Sequence, residues 1–132
     1  MEPNEALARR FFDDFWTGQQ YDAADDLMAA DHRHHISGST LAAGREAVKE
    51  MARSMHAAFP DLAFVIEDVL ADGDKVLVRW TAHGTHSATF GGVEATGRRV
   101  ERTVMDLIRF ADRRVVVLWG NNDALGLFEQ LE

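Results

Sequence analysis

The 132-residue chain has no cysteine, carries fewer basic than acidic residues, and contains no apolar run approaching bilayer length. Without cysteine, neither a disulfide framework nor a thiolate nucleophile is available, which suits a reducing cytoplasm. With 14 Lys and Arg against 22 Asp and Glu, the net charge is −8. That balance lacks the basic face that a phosphate backbone or an anionic lipid surface requires. We therefore expect no nucleic acid and no membrane among the partners, and read the acidic excess as solubility. No basic start followed by an apolar core opens the chain, so no leader is expected and the location implied is cytoplasmic. Internal repeats, low-complexity stretches and interdomain linkers are also missing. At this length, residues 1–132 read as one domain with a real core.

Helical and strand periods divide the chain in two. Asn4 can cap a first helix in which Leu7, Phe11 and Phe15 form one stripe with Ala8, Phe12 and Trp16 beside it, closed by Gly18. A second helix over Tyr21–Ala30 turns Ala24, Leu27 and Met28 inward and leaves Asp22, Asp25 and Asp26 in water. A third, near Gly44–Phe59, spaces Val48, Met51, Met55 and Phe59 as core and stops at Pro60-Asp61. Beyond Pro60 the period becomes two, with strands over Leu62–Ala71, Lys75–His86, Val100–Ala111 and Arg113–Asn122. Helices followed by a meander of long strands make an α+β pattern. Such a sheet can curl around the helices and enclose an apolar pocket for a small ligand.

Two carboxylates stand in greasy strands. Alternation places Val115, Val117, Trp119, Asn121 and Asp123 on one face, so Asp123 ends an apolar strand. Two roles are open to it. An aspartate there can cap the helical stretch Ala124–Leu131, or it can be an acid whose pKa is lifted by apolar surroundings. Asp106 shares a face with Val104, Ile108 and Phe110, while Met105 and Leu107 share the other. Parity does not decide which face lines a pocket. A partner for Asp106 is available in Arg79, Arg102 or Arg109 on neighbouring strands. In the cluster His32, His34 and His35, residues two apart point the same way, so at most His32 and His34 converge, and no third metal ligand stands at a familiar spacing. No metal site is expected.

The segment Val115–Leu131, with Trp119-Gly120-Asn121-Asn122-Asp123 at its centre, resembles the C-terminal signature of the SnoaL-like polyketide cyclases. Phe11-Phe12-Asp13-Asp14-Phe15-Trp16 resembles that family's opening helix, Ala57–Leu62 its helix-to-strand turn, and Val78–His86 with Thr96–Val100 its central hairpin. The resemblance implies a cone of the nuclear transport factor 2-like and ketosteroid isomerase-like superfamily: three N-terminal helices wrapped by a curved antiparallel sheet around an apolar pocket. It implies an aldol-type cyclase or isomerase acting on a small apolar or aromatic carbonyl compound, without metal or cofactor. A binding protein that holds such a molecule unchanged is the alternative.

By the same matching, Asp123 is the general acid and base and His35 faces the pocket beside it. His86 occupies a position that is often histidine, and Trp16 and Trp119 align with aromatic positions that clamp a flat substrate. Asp106 and Asn121 complete the expected substrate contacts. The two amides Asn121 and Asn122 depart from the apolar residues usual before that aspartate, and an amide N–H given to the carboxylate lowers its pKa. A homodimer through the convex sheet face is also implied, with Leu77, Arg79, Thr81, Val116 and Leu118 as the residues that parity assigns to it.

Overall fold

A computed structural model describes residues 3–121 and 124–132. The first helix, α1 (Pro3–Arg10), runs directly into a π-helical segment, Phe11–Thr17. Its i→i+5 pitch sets Phe11 beneath Trp16, ring centroids 6.3 Å apart, and stacks Phe11 on Phe15 at 5.9 Å. All four aromatics of the segment, Phe11, Phe12, Phe15 and Trp16, are thereby buried. Gly18 closes it by donating its N–H to the Asp13 carbonyl, and a Cβ there would press into the Asp13 and Asp14 carbonyls.

The second expected helix is shorter than its composition suggests. A 3₁₀ turn (Tyr21–Ala23) and α2 (Ala24–Leu27) end at Met28, where the backbone becomes extended. From there β1 (Met28–Ile36) and β2 (Ser39–Ala43) form a hairpin that the strand reading of the C-terminal half does not contain. α3 (Arg45–Ala58) follows, then β3 (Ala63–Asp72), β4 (Lys75–Thr85), β5 (Arg99–Ala111), β6 (Arg114–Gly120) and α4 (Ala124–Gln130).

The six strands form one curved α+β sheet in the order β2-β1-β6-β5-β4-β3. It is antiparallel except between β1 and β6, which run parallel. On β4 and β5 the even-numbered residues point inward: Val76, Val78, Trp80 and Ala82 meet Val104, Asp106, Ile108 and Phe110. Strict alternation fails on β6. Phe110 pairs with Val115 but Arg109 pairs with Val117, so Val116 is an extra residue in the ladder. Beyond this bulge the faces exchange: Leu118 is buried at 1% exposure, and Trp119 lies outside at 39%. The expectation that Val115, Val117 and Trp119 share an inner face is corrected here, and Leu118 leaves the convex set.

Candidate functional site

Between the concave sheet face and the helices lies a cavity of about 280 Å³. Phe12 and Trp16 reach it from the π-helical segment, and Met51 and Met55 from α3. The methionines read from sequence as core filler are therefore walls of the pocket, where an adaptable thioether fits itself to a ligand. Phe64, Trp80, Val104 and Leu118 supply the sheet side, with Phe90, Leu127 and Phe128 at the end near α4. Phe90 stacks on Phe128 at 6.0 Å and packs edge-on against Phe59 at 5.2 Å. Among the described residues, four polar ones interrupt this surface: His34, Arg102, Asp106 and Asn121.

Asp106 sits in the centre of β5, 4% exposed. The indole Nε1–H of Trp80 donates to its Oδ2 at 2.7 Å. Its Oδ1 is buried with no hydrogen-bond partner among the described residues. Opposite it in the ladder stands Gly120, where any Cβ would overlap Oδ1, so the carboxylate fills the space a side chain would take. Burial raises the Asp106 pKa from 3.8 to about 6, opposed by the Trp80 hydrogen bond and the Arg102 charge. Of the arginines considered as its partners, Arg79 donates instead to Asp68 at 2.8 Å and Arg109 to Asp74 at 3.2 Å, both on the outer side. Arg102 stays in the pocket, its guanidinium 5.6 Å from the Trp80 ring.

Trp16 takes its expected place on the wall, and Asn121 lies at the rim just past β6. Three expectations are corrected. His35 turns to the outer face because a register shift follows His34 on β1; there it stacks on Trp119 at 6.4 Å and shares a hydrogen bond of 3.1 Å with Thr40. Trp119 is outside for the bulge reason given above. His86 is fully buried behind Phe59 rather than lining the cavity: its Nδ1 accepts the Thr96 N–H at 3.2 Å and meets the Thr96 hydroxyl at 3.0 Å. It thus anchors the loop that carries Phe90. Asp123 and Asn122 lie outside the described residues.

Residues to which the sequence reading gave no role in the site take part as well. His34, not His35, faces the cavity, its Nδ1 3.3 Å from Nε2 of the fully buried His32. Parity had placed these two on one side; it was the family resemblance that assigned His35 to the pocket. Among the described residues no group of three metal-ligating side chains forms. His56 ties α3 to the π-helical segment, its Nε2 meeting the Trp16 carbonyl at 2.6 Å while Tyr21 Oη meets Nδ1 at 2.7 Å.

Comparison with known proteins supplies a further finding. The sequence model for the SnoaL-like polyketide cyclases matches residues 6–131. Among solved structures, a protein of Jannaschia sp. CCS1 with a provisional SnoaL-like polyketide cyclase assignment superimposes at TM-score 0.89 and 25% identity, over 98% of this chain and 91% of that one. A provisional polyketide cyclase from Acidithiobacillus ferrooxidans gives TM-score 0.86 at 26% identity, over 98% and 94%. IdmH of Streptomyces antibioticus, with a similarly provisional cyclase assignment, gives 0.83 at 28%, over 99% of both chains. Among proteins with curated functions, none matches.

Proposed function

The chain belongs to the SnoaL-like polyketide cyclase family, and we propose that it is a single-domain enzyme of aldol-cyclase or isomerase type acting on a compact aromatic carbonyl compound. The observation that carries this reading is Asp106: a buried carboxylate facing an apolar cavity, with its pKa raised to about 6. A base that titrates near the working pH is partly ionised and still accepts a proton readily. Oδ2 accepts the Trp80 indole N–H, which orients the carboxylate on the pocket wall, and this carboxylate takes a proton from the carbon beside a substrate carbonyl. In an intramolecular aldol closure the resulting enolate carbon bonds to a second carbonyl carbon of the same molecule. The new alkoxide then takes the proton back. Electrons and atoms balance within one substrate, so the step calls for no redox partner. Arg102 lies where its positive charge favours the enolate and alkoxide oxygens over the neutral ketone. Aromatic walls favour a flat molecule, and about 280 Å³ is small for a ligand pocket, which favours a compact one.

Asp123, the base that the family resemblance implies, is the second carboxylate of this reading, and the two are separable. The test is deuterium incorporation beside the carbonyl of 2-tetralone in D₂O, followed by NMR. Asp106→Asn is expected to slow enzyme-dependent exchange by about a hundredfold or more. If Asp123→Asn abolishes exchange and Asp106→Asn leaves it intact, proton transfer belongs to Asp123 and Asp106 only binds. Absence of exchange in the wild-type protein, with tetralone still bound, leaves a binding protein of the same fold.

We extend the reading to a homodimer across the outer sheet face. Leu77, Met105, Leu107 and Trp119 gather there around a shallow depression, an apolar set that suits a second copy.

A further inference from the structure

We infer that His34 is a ligand-binding residue of the cavity, oriented by the buried His32, and that it selects flat ligands bearing a phenolic or enolic hydroxyl. The inference deepens the proposed function by naming a substrate feature, and rests on that reading for the pocket's use. Its basis is the pairing of the two imidazoles. His32 is fully buried and His34 is 5% exposed. Their contact, Nε2 of His32 to Nδ1 of His34 at 3.3 Å, holds one proton between two nitrogens, so one ring donates and the other accepts. Burial pushes both titrations far down, His34 to about 3 and His32 to about 4, so both rings are neutral at pH 7.

The direction of the shared hydrogen bond follows from what lies behind His32. The Val115 carbonyl is a backbone acceptor acting on that ring, while Nδ1 is buried with no hydrogen bond among the described residues. With Nε2 engaged by His34, we place the His32 proton on Nδ1, toward that oxygen, which makes His32 Nε2 the acceptor and His34 Nδ1 the donor. Each neutral ring has then placed its one proton, and the Nε2 of His34 carries a lone pair. This nitrogen has no hydrogen bond among the described residues, and its ring lines the cavity. A lone pair fixed in an apolar wall accepts from an O–H group and gives nothing to an ether or a hydrogen atom at the same place. Discrimination of this kind exceeds what apolar contact supplies, because the buried acceptor goes unpaired with the wrong ligand.

Two measurements on the full chain test this. The first compares binding of 2-naphthol and 2-methoxynaphthalene by titration calorimetry. The wild-type protein is expected to prefer the naphthol by about tenfold, the equivalent of one good hydrogen bond. His34→Phe keeps the ring and should bring the two ligands to within about twofold. Equal binding or no binding of the two ligands by the wild-type protein overturns the inference, as does a naphthol preference that survives in His34→Phe. The second needs no variant: long-range ¹H–¹⁵N spectra at pH 7 report the tautomer of each ring. His34 is expected with Nδ1 protonated and Nε2 bare, and with Nε2 shifting when naphthol is added. A protonated Nε2 in the free protein overturns the assignment even if His34→Phe fails to fold. Naphthol selectivity without tetralone exchange would sink the enzyme reading and leave His34 in place; exchange without selectivity does the reverse.

Discussion

At the scale of single residues, the side chains that suit the pocket for chemistry are the ones the fold would be more stable without. Asp106 binds its proton more tightly in the folded state, with a pKa of about 6 against 3.8. Its favourable contribution is therefore fully present below the unfolded value and is lost as pH rises through about 6, a change of about 3 kcal/mol. Asp106→Asn keeps an oxygen for the Trp80 indole and removes the ionisation. It is expected to raise the melting temperature by several degrees at pH 8, on the order of 2–4 °C per kcal/mol, and to change it little at pH 4. An unchanged or lower value at pH 8 would show that the carboxylate is solvated in the folded protein. The histidines have the opposite sign. His32 and His34 have depressed titrations, so the unfolded chain takes up protons first, and stability present above pH 6.5 is lost as pH falls towards 4 and below. In the Asp106→Asn background, urea midpoints should fall over that range; a flat profile would mean that these rings are hydrated.

At the scale of elements, one extra residue decides which side chains meet. The bulge at Val116 sets Gly120 opposite Asp106 and sends Trp119 outward. Without it, the apolar alternation from Val115 onward would run as the sequence suggests, with Trp119 in the pocket. That is why the helices α1 and α3, the long strands β3 to β6 and the α+β order were readable from periodicity, while the face of Trp119 was not. A bulge changes hydrogen-bond register without changing composition. The β1–β2 hairpin escaped for a related reason: Met28–Ile36 holds three histidines, two alanines, one Asp and one Arg, and its strand character comes from pairing with β6 rather than from propensity. Asp106 was visible as a carboxylate in a greasy strand, but its face was settled only by the register with Val78 and Gly120. Gly120→Ala tests this register. The new methyl would overlap Oδ1, so the carboxylate must swing off the Trp80 indole or the strands must part. We expect a loss of about 1–3 kcal/mol and a displaced Trp80 indole N–H resonance; an unmoved resonance with full stability would show slack in this part of the sheet.

At the scale of the whole molecule, a cone closed on its concave side leaves the convex face to be accounted for. Met105 is 57% exposed and Trp119 39%, and with Leu77 and Leu107 they line one continuous depression. A stable interface needs roughly 1,200–2,000 Å² buried in total, and an aromatic anchor at its centre usually contributes most. Trp119, stacked on His35, is placed to be that anchor. The net charge of −8 on each copy opposes association, and salt screens such repulsion within a Debye length of about 8 Å at physiological ionic strength. Two measurable consequences follow for light scattering coupled to size exclusion. The wild-type protein should elute at about twice the 14.8 kDa chain mass, and its dimer should tighten as salt is raised. Trp119→Glu places a carboxylate in the centre of the apolar face and adds a like charge on each copy, so it should elute as a monomer at the same concentration, with its circular dichroism unchanged. A wild-type protein that stays monomeric at 100 µM, or a Trp119→Glu variant that still pairs, would mean that this face meets something other than a second copy.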